Sequence, residues 1–124
     1  MQKKIEEEDN WGLLAVINLY DCDKDLIQES AVLKKFVKSL CQIIEMKPVG
    51  DPIVGSFGEG KLYGHSAMQF IETSSITVHC DSKISNRVFI DIFSCKNFDA
   101  PKAAYYCCKF FKAQGMNFKV IERD

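Results

Sequence analysis

The first sustained apolar run is Trp11 to Tyr20, WGLLAVINLY, and it stops at the polar cluster DCDKD. A strand-length run with apolar residues on both alternating sides, closed by turn formers, predicts a buried strand. From Lys24 to about Met46 the pattern changes. Leu33, Phe36, Val37, Leu40, Cys41 and Ile44 recur at three- and four-residue steps, with Lys34, Lys35 and Lys38 on the other side. That spacing predicts an amphipathic helix with one buried face. Pro48 ends it, because proline lacks a backbone donor and pushes its predecessor out of the helical region.

Gly50, Pro52, Gly55, Gly58 and Gly60 punctuate the next stretch and leave room for a short strand at Ile53 to Phe57. Leu62 to Cys80 is rich in Thr, Ile, Val and Phe and reads as strand, with a break near Thr73 to Ser75. Arg87 to Phe93, RVFIDIF, is its expected partner through the polar turn Asp81 to Asn86. Asp99 is a good N-cap and Pro101 falls in a first turn, so a second helix is predicted over about Ala100 to Ala113, ending near Gly115. Met116 to Ile121 alternates like a half-buried last strand. The sum is an α+β plan for a single domain over residues 1–124: an antiparallel β-sheet with two α-helices packed on one face. The apolar residues left on the other face predict cover by a second subunit.

The chain has 124 residues, 47% hydrophobic and 27% charged, the balance of one compact domain with its own core. A formal net charge of −1 gives no reason to expect nucleic acid or an anionic membrane as partner, which leaves a small molecule or another protein. Met1 to Asn10 is polar and lacks the apolar core of a signal peptide. No apolar run approaches the roughly 20 residues of a membrane span, so the expected compartment is the cytoplasm. Cys22, Cys41, Cys80, Cys95, Cys107 and Cys108 form no CxxC pair, and several fall at core-facing positions. They are read as reduced thiols, with no metal site, since His65 and His79 lack a matching cysteine pattern.

The densest polar cluster is Glu72-Thr73-Ser74-Ser75, followed by Thr77 and His79, inside otherwise apolar strand sequence. Two readings stand for it. The hydroxyls bond locally at a bulge or strand end, or they do chemistry.

Three segments, in order, resemble the small prokaryotic S-adenosylmethionine decarboxylases, over about Trp11 to Glu122. LYDCD at Leu19 to Asp23 resembles the end of that family's first strand. YGHSAMQFIETSSITVHC at Tyr63 to Cys80 resembles its turn, strand and self-cleavage motif, and IDIFSCKNFDAPKAAYYCCKFF resembles its Asp-aliphatic-Phe-Thr-Cys strand end with the following helix. The resemblance aligns Ser74 with the serine that becomes the pyruvoyl group, Ser66 and His79 with residues assisting processing, and Cys95 with the catalytic acid. It implies a proenzyme in which Ser74 Oγ attacks the Thr73 carbonyl. β-Elimination and hydrolysis then yield a β chain, residues 1–73, and an α chain, residues 74–124, that begins with the pyruvoyl cofactor. Decarboxylation leaves a carbanion, which a Schiff base between substrate amine and pyruvoyl ketone can delocalise, with Cys95 as proton donor. It further implies S-adenosylmethionine as substrate, spermidine biosynthesis as the pathway, and a homodimer of proenzymes or two α plus two β chains.

The chain departs from the family pattern at definable places. Thr73 stands where the family has Glu, Ser75 where it has His, and Asn18 where it has a strand-one acid. Cys80-Asp81-Ser82-Lys83 replaces Thr-Trp-Pro-Glu, and GSFGEGKL before Tyr63 leaves Phe57 as the aromatic candidate for stacking on a purine. Two further readings are therefore kept: a pyruvoyl decarboxylase of arginine or ornithine, and a non-cleaving paralogue that binds or regulates a partner. His65 matches nothing in the family and is read as structural or exposed.

Overall fold

The computed structural model describes residues 11–124, so the reading of Met1 to Asn10 lies outside the described residues. Among the described residues, six strands form one sheet: β1 (Gly12–Tyr20), β2 (Pro48–Phe57), β3 (Gly64–Ile71), β4 (Ser74–Asp81), β5 (Arg87–Ser94) and β6 (Gly115–Arg123). Their order is β2-β3-β4-β5-β1-β6, and every neighbouring pair is antiparallel. Two α-helices, α1 (Ser30–Ile43) and α2 (Ala100–Phe110), pack on the same face. This is the expected α+β arrangement. No helix among the described residues is long and apolar enough to cross a membrane.

Alternation decides which side chains meet the helices, because successive residues of a strand point to opposite faces. Ala15, Ile17 and Leu19 of β1, Val88, Ile90 and Ile92 of β5, and Ile76, Val78 and Cys80 of β4 are all buried on the helix side. α1 answers with Leu33, Phe36, Val37, Leu40 and Cys41, the residues whose spacing predicted it. Phe36 also packs against Phe110, Phe111 and Tyr106, which joins the helices into one layer. Each large side chain so buried stabilises the fold by about 1.5–3 kcal/mol.

The first helix starts later than its apolar pattern suggests. Asp23 Oδ1 accepts from the Asp25 N–H at 2.9 Å, which turns Leu26–Gln28 into a 3-10 segment, and Glu29 is extended with φ −135° and ψ 125°. The Asx turn at Asp23 thus competes with the helix for the first turns. β2 is longer than the predicted Ile53 to Phe57, because an irregularity between Val49 and Ile53 lets the strand continue through Gly50 at φ +72°. Buried Gln69 holds it by donating Nε2 to the Val49 and Gly50 carbonyls at 3.3 and 3.1 Å. α2 starts at the expected Ala100, with Asp99 Oδ1 accepting from the Lys102 N–H at 3.0 Å as N-cap, and ends at Phe110 rather than near Ala113; β6 contains the expected Met116 to Ile121 and extends beyond it at both ends.

The sheet's other face has no covering element among the described residues. Alternation turns Leu14, Val16, Phe89, Phe93, Met68 and Phe70 toward it, and Phe70 is 52% exposed. Contiguous apolar faces of this kind generally mark interaction sites.

Candidate active site

β3 and β4 are joined by the two residues Glu72 and Thr73, so the polar cluster sits at a hairpin turn and at the start of the returning strand. Two-residue hairpins usually place positive φ in the turn itself, where the strand twist requires it, and favour Gly or Asn there. Neither Glu72 nor Thr73 has a positive φ. Ser74 does, at 152°. The other positive non-glycine values, at Asp21, Glu45 and Lys112, are 52–57°, the ordinary left-handed turn conformation. The hairpin therefore moves its distortion onto Ser74, in a region that costs a side-chain-bearing residue about 1–3 kcal/mol.

The peptide bond entering Ser74 is also held. The Thr73 carbonyl accepts from the Cys95 N–H at 2.9 Å, and the Ser94 hydroxyl donates to Thr73 Oγ1 at 2.8 Å. Thr73 Oγ1 in turn donates to Met46 Sδ at 3.4 Å, while the Lys96 N–H donates to Ser94 Oγ at 3.0 Å. Ser94 is fully buried. Burial shortens the choice of partners for each hydroxyl and strengthens the bonds that form.

Cys95, one residue beyond Ser94, is exposed. The buried thiols contrast with it: burial first, then the nearby Cys108 and Asp21, pushes Cys22 up to about 12. Burial and then Cys22 raise Cys80 to about 12, and burial raises Cys107 further. Those thiols are packing groups, and all six cysteines are free.

Ser66 and His79 are directly paired across β3 and β4, and Ser66 Oγ lies 2.9 Å from His79 Nδ1. Both line a cavity of about 470 Å³ on the uncovered face, together with Ile53, Phe57, Leu62 and Met68. Phe57 folds back over Gly55, where an added Cβ would stand 3.1 Å from its ring, and the ring is 59% exposed. Asp81, near the rim, is bound by Arg87 Nε at 2.8 Å. Burial opposes the Asp81 charge, but the hydrogen bonds from Ile84 and Arg87, with the Arg87 charge, hold its carboxyl below the usual range. His65 points to the helix side, half-buried, with Nδ1 3.1 Å from Ser30 Oγ.

The six residues singled out by sequence thus fall into two groups. Thr73, Ser74 and Cys95 meet at one end of β4; Ser66, His79 and Phe57 meet toward the other. Ser74 and His79 are five residues apart along one extended strand, about 17 Å, so one chain does not bring their side chains together. Ser94 and Met46 are not singled out by the sequence pattern. A signal for Ser94 exists all the same: after Val88, Ile90 and Ile92, the next helix-side position of β5 should be apolar and is a serine. Among the described residues no group of three or more His, Cys, Asp or Glu gathers as a metal site.

Comparison with known proteins bears on this arrangement. The crystal structure of the adenosylmethionine decarboxylase from Aquifex aeolicus VF5 superposes with a TM-score of 0.77 at 18% identity, covering 92% of this chain and 91% of that one. That likeness establishes the fold. The family model for S-adenosylmethionine decarboxylase matches residues 14–124, which include both residue groups. The chain therefore belongs to the S-adenosylmethionine decarboxylase family of enzymes.

Proposed function

We propose that the chain is a proenzyme that cuts itself between Thr73 and Ser74. With a pyruvoyl group at position 74 it then decarboxylates S-adenosylmethionine, the reaction that supplies an aminopropyl donor for spermidine. The observation that carries this reading is a coincidence at one peptide bond. The strained φ of 152° lies on its Ser74 side, and the Cys95 N–H holds its carbonyl oxygen at 2.9 Å.

Ser74 Oγ attacks the Thr73 carbonyl carbon, and the Cys95 N–H is aimed at the oxygen that becomes negative. Collapse breaks the C–N bond, the amide nitrogen takes the proton as an amine, and an ester joins the two residues. This releases the strained geometry. Removal of the Ser74 Cα proton then expels the Thr73 carboxylate, and one water replaces the nitrogen as ammonia to leave the ketone. The residues present fit that product: Ser74 begins a strand, and an exposed thiol follows the residue paired with it. When formed, the pyruvoyl group supplies a carbonyl that accepts the electron pair left by decarboxylation. Cys95 donates a proton to the substrate carbon, and His79, aligned by Ser66, moves the proton in elimination. Phe57 and the apolar wall around it hold the substrate's flat base.

The 17 Å gap between the two groups supports a homodimer. A two-fold copy laid antiparallel on the uncovered sheet face buries Val16, Phe70 and Phe93. It sets Ser66 and His79 of the partner subunit near Ser74 and Cys95. After cleavage the assembly has two α and two β chains.

The substrate is a separate question. The described cavity lining contains no carboxylate, and Asp81, next in sequence to Cys80 of the lining, is tied to Arg87, so neither ribose hydroxyls nor a guanidinium or ammonium group meets a free acid in the lining. A pyruvoyl decarboxylase of arginine or ornithine is the alternative reading. Release of labelled CO2 from the carboxyl-labelled compounds separates the two. The expected result is release from S-adenosylmethionine, abolished by prior borohydride treatment. Release only from arginine or ornithine transfers the reaction to that substrate, and release insensitive to borohydride sinks the pyruvoyl reading.

A further inference from the structure

We propose that Ser94 is a positioning residue for self-cleavage, acting through the Thr73 side chain, with Met46 as the far anchor. The proposal rests on the self-cleavage reading and names what orients the scissile bond. Consecutive residues of β5's exit grip Thr73 at two points: the Ser94 hydroxyl holds Oγ1 at 2.8 Å, and the Cys95 N–H holds the carbonyl oxygen at 2.9 Å. Gripped at one point, Thr73 can rotate its carbonyl; gripped at two, it cannot without breaking the hydrogen bond to the buried Ser94. The Lys96 N–H can only donate, so Ser94 Oγ accepts there; its own proton has Thr73 Oγ1 at 2.8 Å and Met46 Sδ at 3.8 Å, and the shorter bond to Thr73 leaves the Thr73 proton for Met46 Sδ at 3.4 Å.

This arrangement also sorts the hydroxyls crowded at the turn. Those of Thr73 and Ser94 are committed to this chain of hydrogen bonds and are removed as competing nucleophiles. Ser74 remains as the group beside the carbonyl that the clamp presents. Threonine suits position 73 for the same reason. It carries a hydroxyl for the clamp on a β-branched side chain whose rotation is already restricted. Met46 reaches the turn because the chain leaves α1 through Glu45 at φ 57°, with the Met46 N–H donating to the Cys41 carbonyl at 2.8 Å. The helix end therefore supplies the last acceptor of a chain that starts at a strand exit.

The test is the cleavage rate of purified full-length chains, followed by denaturing mass measurement, with hydroxylamine added to trap the ester. Ser94→Ala is expected to cut about tenfold more slowly, the effect of one buried hydrogen bond lost from an oriented reactant. Ser94→Thr, which keeps the hydroxyl, returns the rate to within about twofold of wild type. Thr73→Val, nearly isosteric, is expected to be as slow as Ser94→Ala, and it guards against misfolding of the serine variant. Because Ser94 acts through Thr73, the double variant is no slower than the slower single. Slowdowns that multiply, or Ser94→Ala cutting at the wild-type rate while wild type is cut, overturn the clamp and leave self-cleavage standing. A wild-type chain that never cuts overturns both.

Discussion

The two ends of the β3–β4 hairpin solve opposite problems. At the turn, half-buried Thr73 is tied to buried Ser94 and Met46, and the carbonyl that enters the strained Ser74 is held by the Cys95 N–H. At the far end, Ser66 and His79 sit in an open cavity with Phe57 more than half exposed. Rearranging a peptide bond needs sub-ångström placement and no diffusing substrate, so it can be built inside one chain. Binding a substrate and moving its protons needs an enclosing wall, and the hairpin's open end lacks one. The contrast teaches that the turn holds its own groups in place within one chain, whereas the pocket is open on the uncovered sheet face, as the proposed shared site requires.

The largest effect expected from this contrast is complementation between chains. His79→Ala alone is expected to lower processing at least about a hundredfold, the usual worth of a positioned acid or base, and Ser74→Ala stops it. Co-expressed, the two variants form mixed dimers in which one site has both its serine and its partner's histidine. About a quarter of all chains is then cut. If His79 serves its own chain, the mixture cuts no faster than His79→Ala alone.

Next in size is the reactivity of the thiols. Thiols near 12 carry about a thousandth of the thiolate of an ordinary cysteine at pH 8. Iodoacetamide is therefore expected to modify exposed Cys95 and spare Cys22, Cys80 and Cys107 until denaturant is added, with CO2 release lost as Cys95 is modified. Early labelling of Cys107 with Cys95 untouched contradicts the burial pattern.

The smallest effects separate the sheet's two faces at adjacent residues. Ile17 is fully buried against the helices, and Ile17→Ala is expected to cost about 2–4 kcal/mol by chemical denaturation. Val16 faces the open side opposite Asp91, so Val16→Lys gains a compensating charge in the free chain. Burying that face in a dimer then desolvates the lysine. Light scattering is expected to give twice 14.1 kDa for wild type and 14.1 kDa for Val16→Lys, with little change in melting. A monomeric wild type removes the shared site.

Much of the architecture is legible in the alternation of apolar and polar residues. WGLLAVINLY is apolar on both sides because one side meets helices and the other a face left open, and only position in the sheet tells which is which. The start of α1 is not readable from periodicity, because the Asx turn at Asp23 that precedes the 3-10 segment leaves the apolar spacing unchanged. The bulge in β2 hides behind Gly50 and Pro52, which look like loop formers although Gln69 keeps that segment in the sheet. Ser74 and Cys95 are legible as residue types, but the strain at one and the backbone hydrogen bond from the other belong to the hairpin's geometry. The division of the site is legible in principle, since five residues of strand are too long for Ser74 to touch His79.

The most direct measurement is the intact mass of the purified wild-type chain under denaturing conditions, beside Ser74→Ala. The expected result is two fragments in wild type, meeting at Thr73 and Ser74, with the 74–124 fragment reduced by borohydride, and a single 14.1 kDa chain in the variant. A wild-type chain that stays whole through prolonged incubation contradicts self-cleavage and leaves a decarboxylase fold retained for binding.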